Sequence, residues 1–302
     1  MPTHPTPSRP IPLRLLRRLA PLLVAAMWLP ATSCLAAESY DNCTGFIDSV
    51  PATITTQGTW CLRGDLATAI ASGAAIEIAT SNVTIDCNHF KLGGLAAGAG
   101  TTTSGISALD RSNVTIRQCN IRGFMRGIYL RETGSGAGGH LVEDNRLDGN
   151  TLQGVSVRGD GSSIRRNMVV NTGGSTTALD ATAIATWLDV DVIDNTVDRV
   201  IALAGSNNDS WGIHTVSNSG GSIANNRVRR VGKDGTGDAR SIQNEAHGTI
   251  VLTGNHVIGD GSAGSLGIAC VASTGWARGN TVAATETGLY LCRDAGTNDI
   301  SP

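Results

Sequence analysis

The side chains with the clearest chemical potential occupy two positions of a short segment that recurs along the chain. The segment reads small, apolar, any, apolar, as in GIYL at Gly127, GVSV at Gly154 and GIHT at Gly212. Trp and Tyr offer flat faces to sugar rings, Arg pairs with a carboxylate through two hydrogen bonds, and His or Glu moves protons near neutral pH. Groups of all these kinds stand at the third and fifth positions: Tyr129, Arg131, Arg158, Trp187, His214, Gln243, Glu245 and Tyr290.

Two roles follow from these residue types, provided that the side chains share one face. The candidate catalytic groups are His214, Arg158, Arg131 and Tyr129. The candidate substrate-binding groups are Trp187, Gln243, Glu245 and Tyr290. Simpler interpretations stay open: a surface histidine at 214, a solvated arginine pair at 131 and 158, and a tryptophan at 187 that only covers a loop.

The segments themselves are typical of short β-strands. They alternate with period two and are separated by Gly, Asn, Asp and Ser turns. Successive side chains of a strand point to opposite faces, so an inward second residue places the third and fifth residues outward. Eight copies are present, starting at Gly105, Gly127, Gly154, Ala183, Gly212, Ser241, Gly267 and Gly288.

A second repeated pattern, apolar-x-x-Asn-x-apolar, lies between these segments. Its anchors are 22 to 31 residues apart, and Cys119 takes the place of Asn in the second copy. Asn tolerates a left-handed turn and can hydrogen-bond to its copies in neighbouring repeats, which predicts a structural ladder. The anchors are Asn88, Asn145, Asn167, Asn195, Asn226, Asn255 and Asn280.

With these two repeated patterns, here called the two ladders, the chain resembles the right-handed parallel β-helix family, the pectate-lyase-like superfamily. The resemblance implies coils of three strands, of which the two ladders supply two. We therefore expect an all-β, right-handed parallel β-helix of about eight to nine coils with an N-terminal cap. Residues 37–80 would form the cap and first coil, and residues 81–302 the repeat domain. The predicted core residues are Ile116, Ile128, Val142, Val155, Ile164, Ile184, Ile213, Ile223, Ile250 and Ile268.

The amino terminus is typical of a signal peptide that ends at residue 36. Four arginines precede an apolar run too short to span a bilayer, and small residues flank the expected cleavage site. A twin-arginine signal at Arg17 and Arg18 and a lipoprotein signal at ATSC are alternatives. We expect a secreted or periplasmic protein without a transmembrane segment.

Cleavage would remove four of the 23 basic residues and none of the 25 acidic ones, for a formal net charge of −6. Such a balance disfavours nucleic acid as a partner.

Six cysteines would remain, an even number, which in an exported chain favours disulfides over metal binding. Cys43 and Cys61 flank the predicted cap, whereas Cys87 and Cys119 end equivalent strands of neighbouring coils. The third predicted pair, Cys270 with Cys292, requires a local twist, because simple alternation turns one inward and the other outward.

Two further features remain ambiguous. Asp189, Asp191, Asp194 and Asp198 supply enough oxygen ligands for calcium, but their spacing is not that of a calcium loop. No cofactor is otherwise expected. The longest predicted insertions, which would form walls along one edge of the outward strip or be merely tolerated, are residues 89–104, 168–182, 196–211 and 227–240.

The family resemblance implies proteins that act on polysaccharides, as well as adhesins and structural rods. The aspartate patterns of its hydrolases (NTD, DD) and the DPH cluster of its epimerases are absent from this sequence. A lyase needs a neutralised carboxylate and a base, which Arg131, Arg158, His214 and Tyr129 can provide. We expect a protein that acts on or binds an acidic polysaccharide, with lyase-type β-elimination as the favoured chemistry. A non-catalytic envelope or extracellular module is the alternative, and the oligomeric state stays open.

Overall fold

The structure is a computed structural model. It describes residues 40, 42–178, 180–216, 220–245, 250–271 and 275–301. The predicted signal peptide, residues 1–36, lies outside the described residues, as do residues 37–39 of the predicted cap.

Three parallel sheets make up the described part of the chain, and each complete coil contributes one strand to each sheet in the order sheet 1, sheet 3, sheet 2. The first coil lacks a strand in sheet 3, and the last lacks one in sheet 2. Sheet 1 contains, in spatial order, β1 (Gly45–Ile47), β3 (Gly58–Leu62), β6 (Val83–Asp86), β9 (Val114–Arg117), β12 (Leu141–Glu143), β15 (Ser162–Arg165), β18 (Val190–Ile193), β21 (Ser222–Ala224), β24 (Ile250–Thr253), β27 (Gly275–Arg278) and β30 (Arg293–Asp294). Sheet 2 contains β2 (Ala52–Ile54), β5 (Ala74–Ile78), β8 (Ser104–Leu109), β11 (Arg126–Arg131), β14 (Gln153–Arg158), β17 (Ala181–Trp187), β20 (Ser210–Thr215), β23 (Ala239–Asn244), β26 (Leu266–Cys270) and β29 (Thr287–Tyr290). Sheet 3 contains β4 (Leu66–Ala67), β7 (Lys91–Gly93), β10 (Asn120–Arg122), β13 (Arg146–Asp148), β16 (Met168–Thr172), β19 (Thr196–Val200), β22 (Arg227–Val231), β25 (His256–Ile258), β28 (Thr281–Ala283) and β31 (Asp299–Ile300).

The predicted all-β solenoid is thereby confirmed. Leu95–Ala97 form a short 3₁₀ turn. Among the described residues, no helix is long and apolar enough to cross a bilayer. All ten predicted core residues are at most 1% exposed, because stacked Val, Ile and Leu columns fill the axis of the coils.

The recurring small residue at the start of each sheet 2 segment reflects a close approach between coils. A Cβ added at Gly154 would lie 2.3 Å from Cγ1 of Val169 and 2.7 Å from the carbonyl oxygen of Ala183. A larger side chain would therefore push the strand away from both neighbours.

The asparagine ladder occupies the turn between sheets 1 and 3, where each side-chain amide donates to the Oδ1 of the next asparagine. The distance is 3.0 Å from Asn167 to Asn195 and 3.0 Å from Asn195 to Asn226. The same Oδ1 atoms also accept backbone N–H groups of the preceding coil. Every amide group of a buried rung is thus satisfied. The ladder runs through Asn145, Asn167, Asn195, Asn226, Asn255, Asn280 and Asn298.

Two details of the predicted ladder are wrong. Asn88 is not a rung: its amide donates to the carbonyl of Leu62, because this coil has a longer turn. The left-handed residue is the one before the rung, such as Asp144 (φ 55°) before Asn145. The rung itself is held in place by its side-chain hydrogen bonds.

The three predicted disulfides, Cys43–Cys61, Cys87–Cys119 and Cys270–Cys292, are all formed. Cys87–Cys119 continues the asparagine column toward the amino terminus, since the backbone N–H of Cys119 donates to Oδ1 of Asn145 at 2.9 Å. Disulfides of this kind are typical of proteins that fold in an oxidising compartment.

The predicted insertions are only partly loops, because each begins with a strand of sheet 3: β7, β16, β19 or β22. These strands were missed because they are only three to five residues long. The parts that remain as loops connect sheet 3 to sheet 2 and end beside the first residue of each sheet 2 strand. They therefore border one edge of the outward face of sheet 2.

Candidate functional site

The outward face of sheet 2, here called the strip, brings the predicted site residues into register. Tyr129 pairs with Ser156, Ser156 with Ala185, and Ala185 with His214. His214 pairs with Gln243, and Tyr290 follows two coils later through Ala269. The fifth positions align in the same way from Arg131 through Arg158 to Trp187. Alternation along the strands explains both columns.

A third outward column was not predicted. It lies on the residue before the small one and contains Arg126, Gln153, Thr182, Trp211 and Arg240 in register. The strand twists at the small residue, so that this residue and the following apolar one both face inward. Counting residues with a strict period of two therefore turns this third column toward the core, which is the wrong face. The residues of this column are polar or aromatic in each of these coils, and this recurrence in the sequence could have revealed the column.

Three arginines surround a cleft of about 270 Å³ on the strip, here called the cationic cleft. Arg131 donates a 2.8 Å hydrogen bond to the phenol oxygen of Tyr129. Arg126 lies over the ring of the same tyrosine, 4.8 Å from its centroid, and donates to Oε1 of Gln153 at 3.1 Å. Burial lowers the pKa of the Arg126 guanidinium from its ordinary value. The cleft is lined by Arg126, Tyr129, Leu130, Arg131, Gln153, Ser156, Arg158 and Trp187.

Arg158 is held in the cleft by an acid that sequence analysis missed. Its Nε lies 3.3 Å from Oε2 of Glu132, which is only 4% exposed. Glu132 accepts the backbone N–H groups of Gly134 and Gly136, the second at 3.1 Å. The hydrogen bond from Gly136, and after it the one from Gly134 and the charge of Arg158, lower the pKa of Glu132. Glu132 is therefore an ionised anchor for Arg158.

A second group on the strip, here called the His–Glu cluster, consists of Trp211, His214, Arg240, Gln243 and Glu245. Nε2 of His214 lies 3.3 Å from Oε1 of Glu245, and the imidazole stacks on Trp211 with ring centroids 4.7 Å apart. Gln243 donates to the same Oε1 at 3.4 Å. The interaction with His214, followed by the charge of Arg240, lowers the pKa of Glu245.

The structure separates the predicted catalytic residues into these two groups. His214 is two coils from Arg158 and three from Tyr129, or roughly 10 and 14 Å at the usual strand spacing. Of the predicted binding residues, Trp187 lines the cleft and Gln243 and Glu245 belong to the cluster. Tyr290 lies two coils beyond Gln243, is 47% exposed and joins neither group.

The four aspartates considered for calcium do not form a common site. Asp198 pairs with Arg230 at 2.6 Å and with Arg229 at 3.6 Å, while Asp191 accepts the backbone N–H and hydroxyl of Ser222. Within the described ranges, no three metal-ligating side chains are grouped closely enough to hold an ion.

A comparison with solved structures finds similar chains at low sequence identity. The Dettilon tailspike protein is 14% identical over 81% of this chain and 60% of its own, with a TM-score of 0.42. The A-module of an Azotobacter vinelandii mannuronan C-5 epimerase is 13% identical over 82% of this chain and 84% of its own, with a TM-score of 0.43. A DFA-IIIase variant from Arthrobacter chlorophenolicus is 13% identical over 76% of this chain and 61% of its own, with a TM-score of 0.38. The chain thus spans less than two thirds of the tailspike and of the DFA-IIIase.

No curated protein matches the chain. The family model described as "Right handed beta helix region" matches residues 53–197 and 104–300, which together cover nearly all of the three described sheets. The chain therefore belongs to the right-handed β-helix family.

Proposed function

We propose that the protein binds an acidic polysaccharide along the strip, with a carboxylate held in the cationic cleft. The observation that carries this proposal is the convergence of Arg126, Arg131 and Arg158 on one cleft that also contains Tyr129 and Trp187. Guanidinium groups bind carboxylates through paired, charge-assisted hydrogen bonds, and an indole ring stacks on a sugar face.

The shape of the site also suits a polymer. The strip continues in register on both sides of the cleft, so a chain of sugars can extend along the solenoid axis. The side chain of Ser156, only 2% exposed, forms the floor of the cleft between the larger flanking groups. The three disulfides support export to an oxidising compartment, where extracellular polysaccharides occur.

A second candidate function is β-elimination of a uronate, supported by the contact between Tyr129 and Arg131. In such a step a base takes the C5 proton, a C4–C5 double bond forms, and the C4–O bond breaks as the leaving oxygen takes a proton. The arginines would stabilise the charge that develops on the carboxylate. Tyr129 would act as the acid/base group, because the hydrogen bond from Arg131 holds its phenol oxygen in the cationic cleft, within reach of a bound sugar.

His214 suits this role less well than the sequence alone suggested. A base must reach the transferred proton at hydrogen-bond distance. A carboxylate bound between Arg131 and Arg158 would be roughly 12 Å from His214, at two and a half coil spacings. Within this proposal, His214 therefore contacts a different sugar of the same chain.

Incubation of the purified protein with acidic and neutral polysaccharides tests both functions. Retention of acidic polymers in a retardation gel, with neutral polymers unaffected, is expected for binding. An absorbance rise in the near ultraviolet would identify elimination, since it reports the unsaturated uronate. Equal behaviour toward acidic and neutral polymers would reject the proposed role of the cationic cleft.

A further inference from the structure

The two groups on the strip differ in charge. The cationic cleft brings three guanidiniums together, with the buried Glu132 beneath one of them. In the His–Glu cluster, Arg240 pairs with Asp238, and Glu245 adds a second carboxylate whose side chain is 34% exposed. Among the described residues, His214 contacts Glu245 and the charge of Arg240 also acts on it. A ligand carboxylate is therefore attracted at the cleft and repelled near Glu245.

The loop edge of the strip adds to this contrast. Oδ1 of Asp180 accepts the backbone N–H of Asp209 at 3.2 Å, and Oδ1 of Asp209 accepts that of Asp238 at 2.8 Å. The three aspartates thus stack directly before β17, β20 and β23. They place further negative charge beside the cluster.

The cluster also contains buried polar atoms without a protein partner. Four atoms have no hydrogen-bond partner in the described part of the chain: Nε1 of Trp211, Nε2 of His214, Nε of Arg240 and Oε1 of Gln243. Gln243 is only 2% exposed. A buried donor or acceptor that stays unpaired is costly, so a ligand group that pairs with these atoms would bind favourably here. These four atoms include both donors and an acceptor, which match the hydroxyl or amide groups of a neutral sugar.

The spacing connects the two groups through one ligand. The midpoint of Arg131 and Arg158 is three coils from the midpoint of His214 and Glu245, or roughly 14 Å. An extended glycan advances by about one coil spacing for each sugar. A sugar three positions from the cleft-bound uronate would therefore lie on the cluster.

From these observations we infer that the ligand is a mixed polysaccharide, in which acidic and neutral sugars alternate, rather than a uniform polyuronate. The inference rests on the proposed function, because it assumes a uronate in the cationic cleft. In an alternating polymer the third sugar from that uronate is neutral, and its hydroxyl or amide groups reach Trp211 and Gln243. In a uniform polyuronate that sugar brings a carboxylate toward Glu245.

Calorimetric titration with octasaccharides at one salt concentration tests the inference. Hyaluronan and unsulfated chondroitin serve as alternating probes, and oligogalacturonate and oligomannuronate as uniform ones. We expect the tighter alternating probe to bind at least about fivefold better than either uniform probe, as one close like-charge contact predicts. Nonspecific attraction to arginines would give the opposite order, since the uniform probes carry more charge.

The variant Glu245→Gln removes the proposed repulsion while keeping the side-chain size. It should strengthen the binding of the uniform probes and so reduce the ratio of alternating-probe affinity to uniform-probe affinity. The control Asp65→Asn, beside sheet 3, should leave this affinity ratio unchanged. Equal or tighter binding of a uniform probe by the parent, or an unchanged affinity ratio in Glu245→Gln, would overturn this inference and leave the proposed function standing. Failure of the parent to bind any of the acidic probes would reject the proposed function and this inference with it.

Discussion

Arg131 donates a 2.8 Å hydrogen bond to the phenol oxygen of Tyr129, two residues earlier on the outward face of β11. Both residues belong to one six-residue strand, so the alternation of side chains along that strand brings them together on one face. Arg126, from the same strand, lies over the tyrosine ring. One strand thus supplies a phenol and two guanidiniums to the cleft.

The substitution Tyr129→Phe separates binding from elimination. It keeps the ring under Arg126 and removes the oxygen that would exchange protons. For a parent that forms unsaturated product, we expect turnover to fall by about a hundredfold or more, with affinity changed by less than about threefold. Full turnover in the variant, followed by near-ultraviolet absorbance, would remove Tyr129 as the acid/base group.

Trp187 and Trp276 form a matched pair for testing the stacking face. Trp187 lines the cationic cleft, whereas Trp276 lies outward on sheet 1 and is 41% exposed. Trp187→Ala should weaken binding of an acidic oligosaccharide about tenfold, and Trp276→Ala should not change it. Titration calorimetry measures both. An equal loss in the two variants would argue against a specific role for Trp187.

Asn195 tests the ladder that aligns the coils. Asn195→Ala removes the acceptor of the backbone and side-chain N–H groups of Asn167 and the donor to the carbonyl of Ile164, although the Asn167 amide keeps its bonds to two backbone carbonyls. We expect the free energy of unfolding to fall by roughly 3 kcal/mol. Urea denaturation measures it, with Asn208→Ala, a loop asparagine outside the ladder, as the control. A loss below that of the control would mean that the rung contributes little.

His140 predicts a pH dependence of stability. Its side chain is 3% exposed, and burial lowers its pKa from 6.5 to about 4. The unfolded chain therefore binds a proton between these pH values that the folded chain does not, so stability falls as the pH drops from about 6.5 to about 4. The loss attributable to this group is about 3 kcal/mol.

The variant His140→Asn removes this titration and can keep an acceptor for the backbone N–H of Val114. The slope of unfolding free energy against pH should become smaller in that window. The exposed His256→Asn is the control and should retain the parent's slope. A slope in His140→Asn equal to that of the parent would contradict the assignment.

Particular residues show which features could be predicted from the sequence. The columns of Tyr129 and Arg131 depend only on alternation, and the Cys87–Cys119 disulfide only on the equivalence of neighbouring coils, so both were predicted without coordinates. The Arg126 column was missed because a twist at Gly127 breaks the alternation. Glu132 was missed because its role depends on the turn at Gly134 and Gly136, which folds back on it. The sheet 3 strands were taken for insertions because they are short.

The distance between His214 and the arginines shows another limit of sequence reasoning. One column contains both Tyr129 and His214, but the column does not say that they contact one sugar. Three strand spacings, or roughly 14 Å, separate the two residues, so they contact different sugars of one ligand. The site therefore resolves into two groups along one ligand path.

The most direct test of the cationic cleft is titration calorimetry with the acidic oligosaccharide that the parent binds best. The double variant Arg131→Ala/Arg158→Ala removes two guanidiniums, while Glu132 keeps its backbone donors and the core is untouched. We predict an affinity loss of about a hundredfold or more, measured at a temperature where the variant is folded, because Arg158→Ala also leaves the buried Glu132 carboxylate without its ion-pair partner and lowers the melting temperature. The control Arg122→Ala/Arg146→Ala on sheet 3 should retain the parent's affinity. Unchanged affinity in the double variant, or an equal loss in the control, would contradict the account.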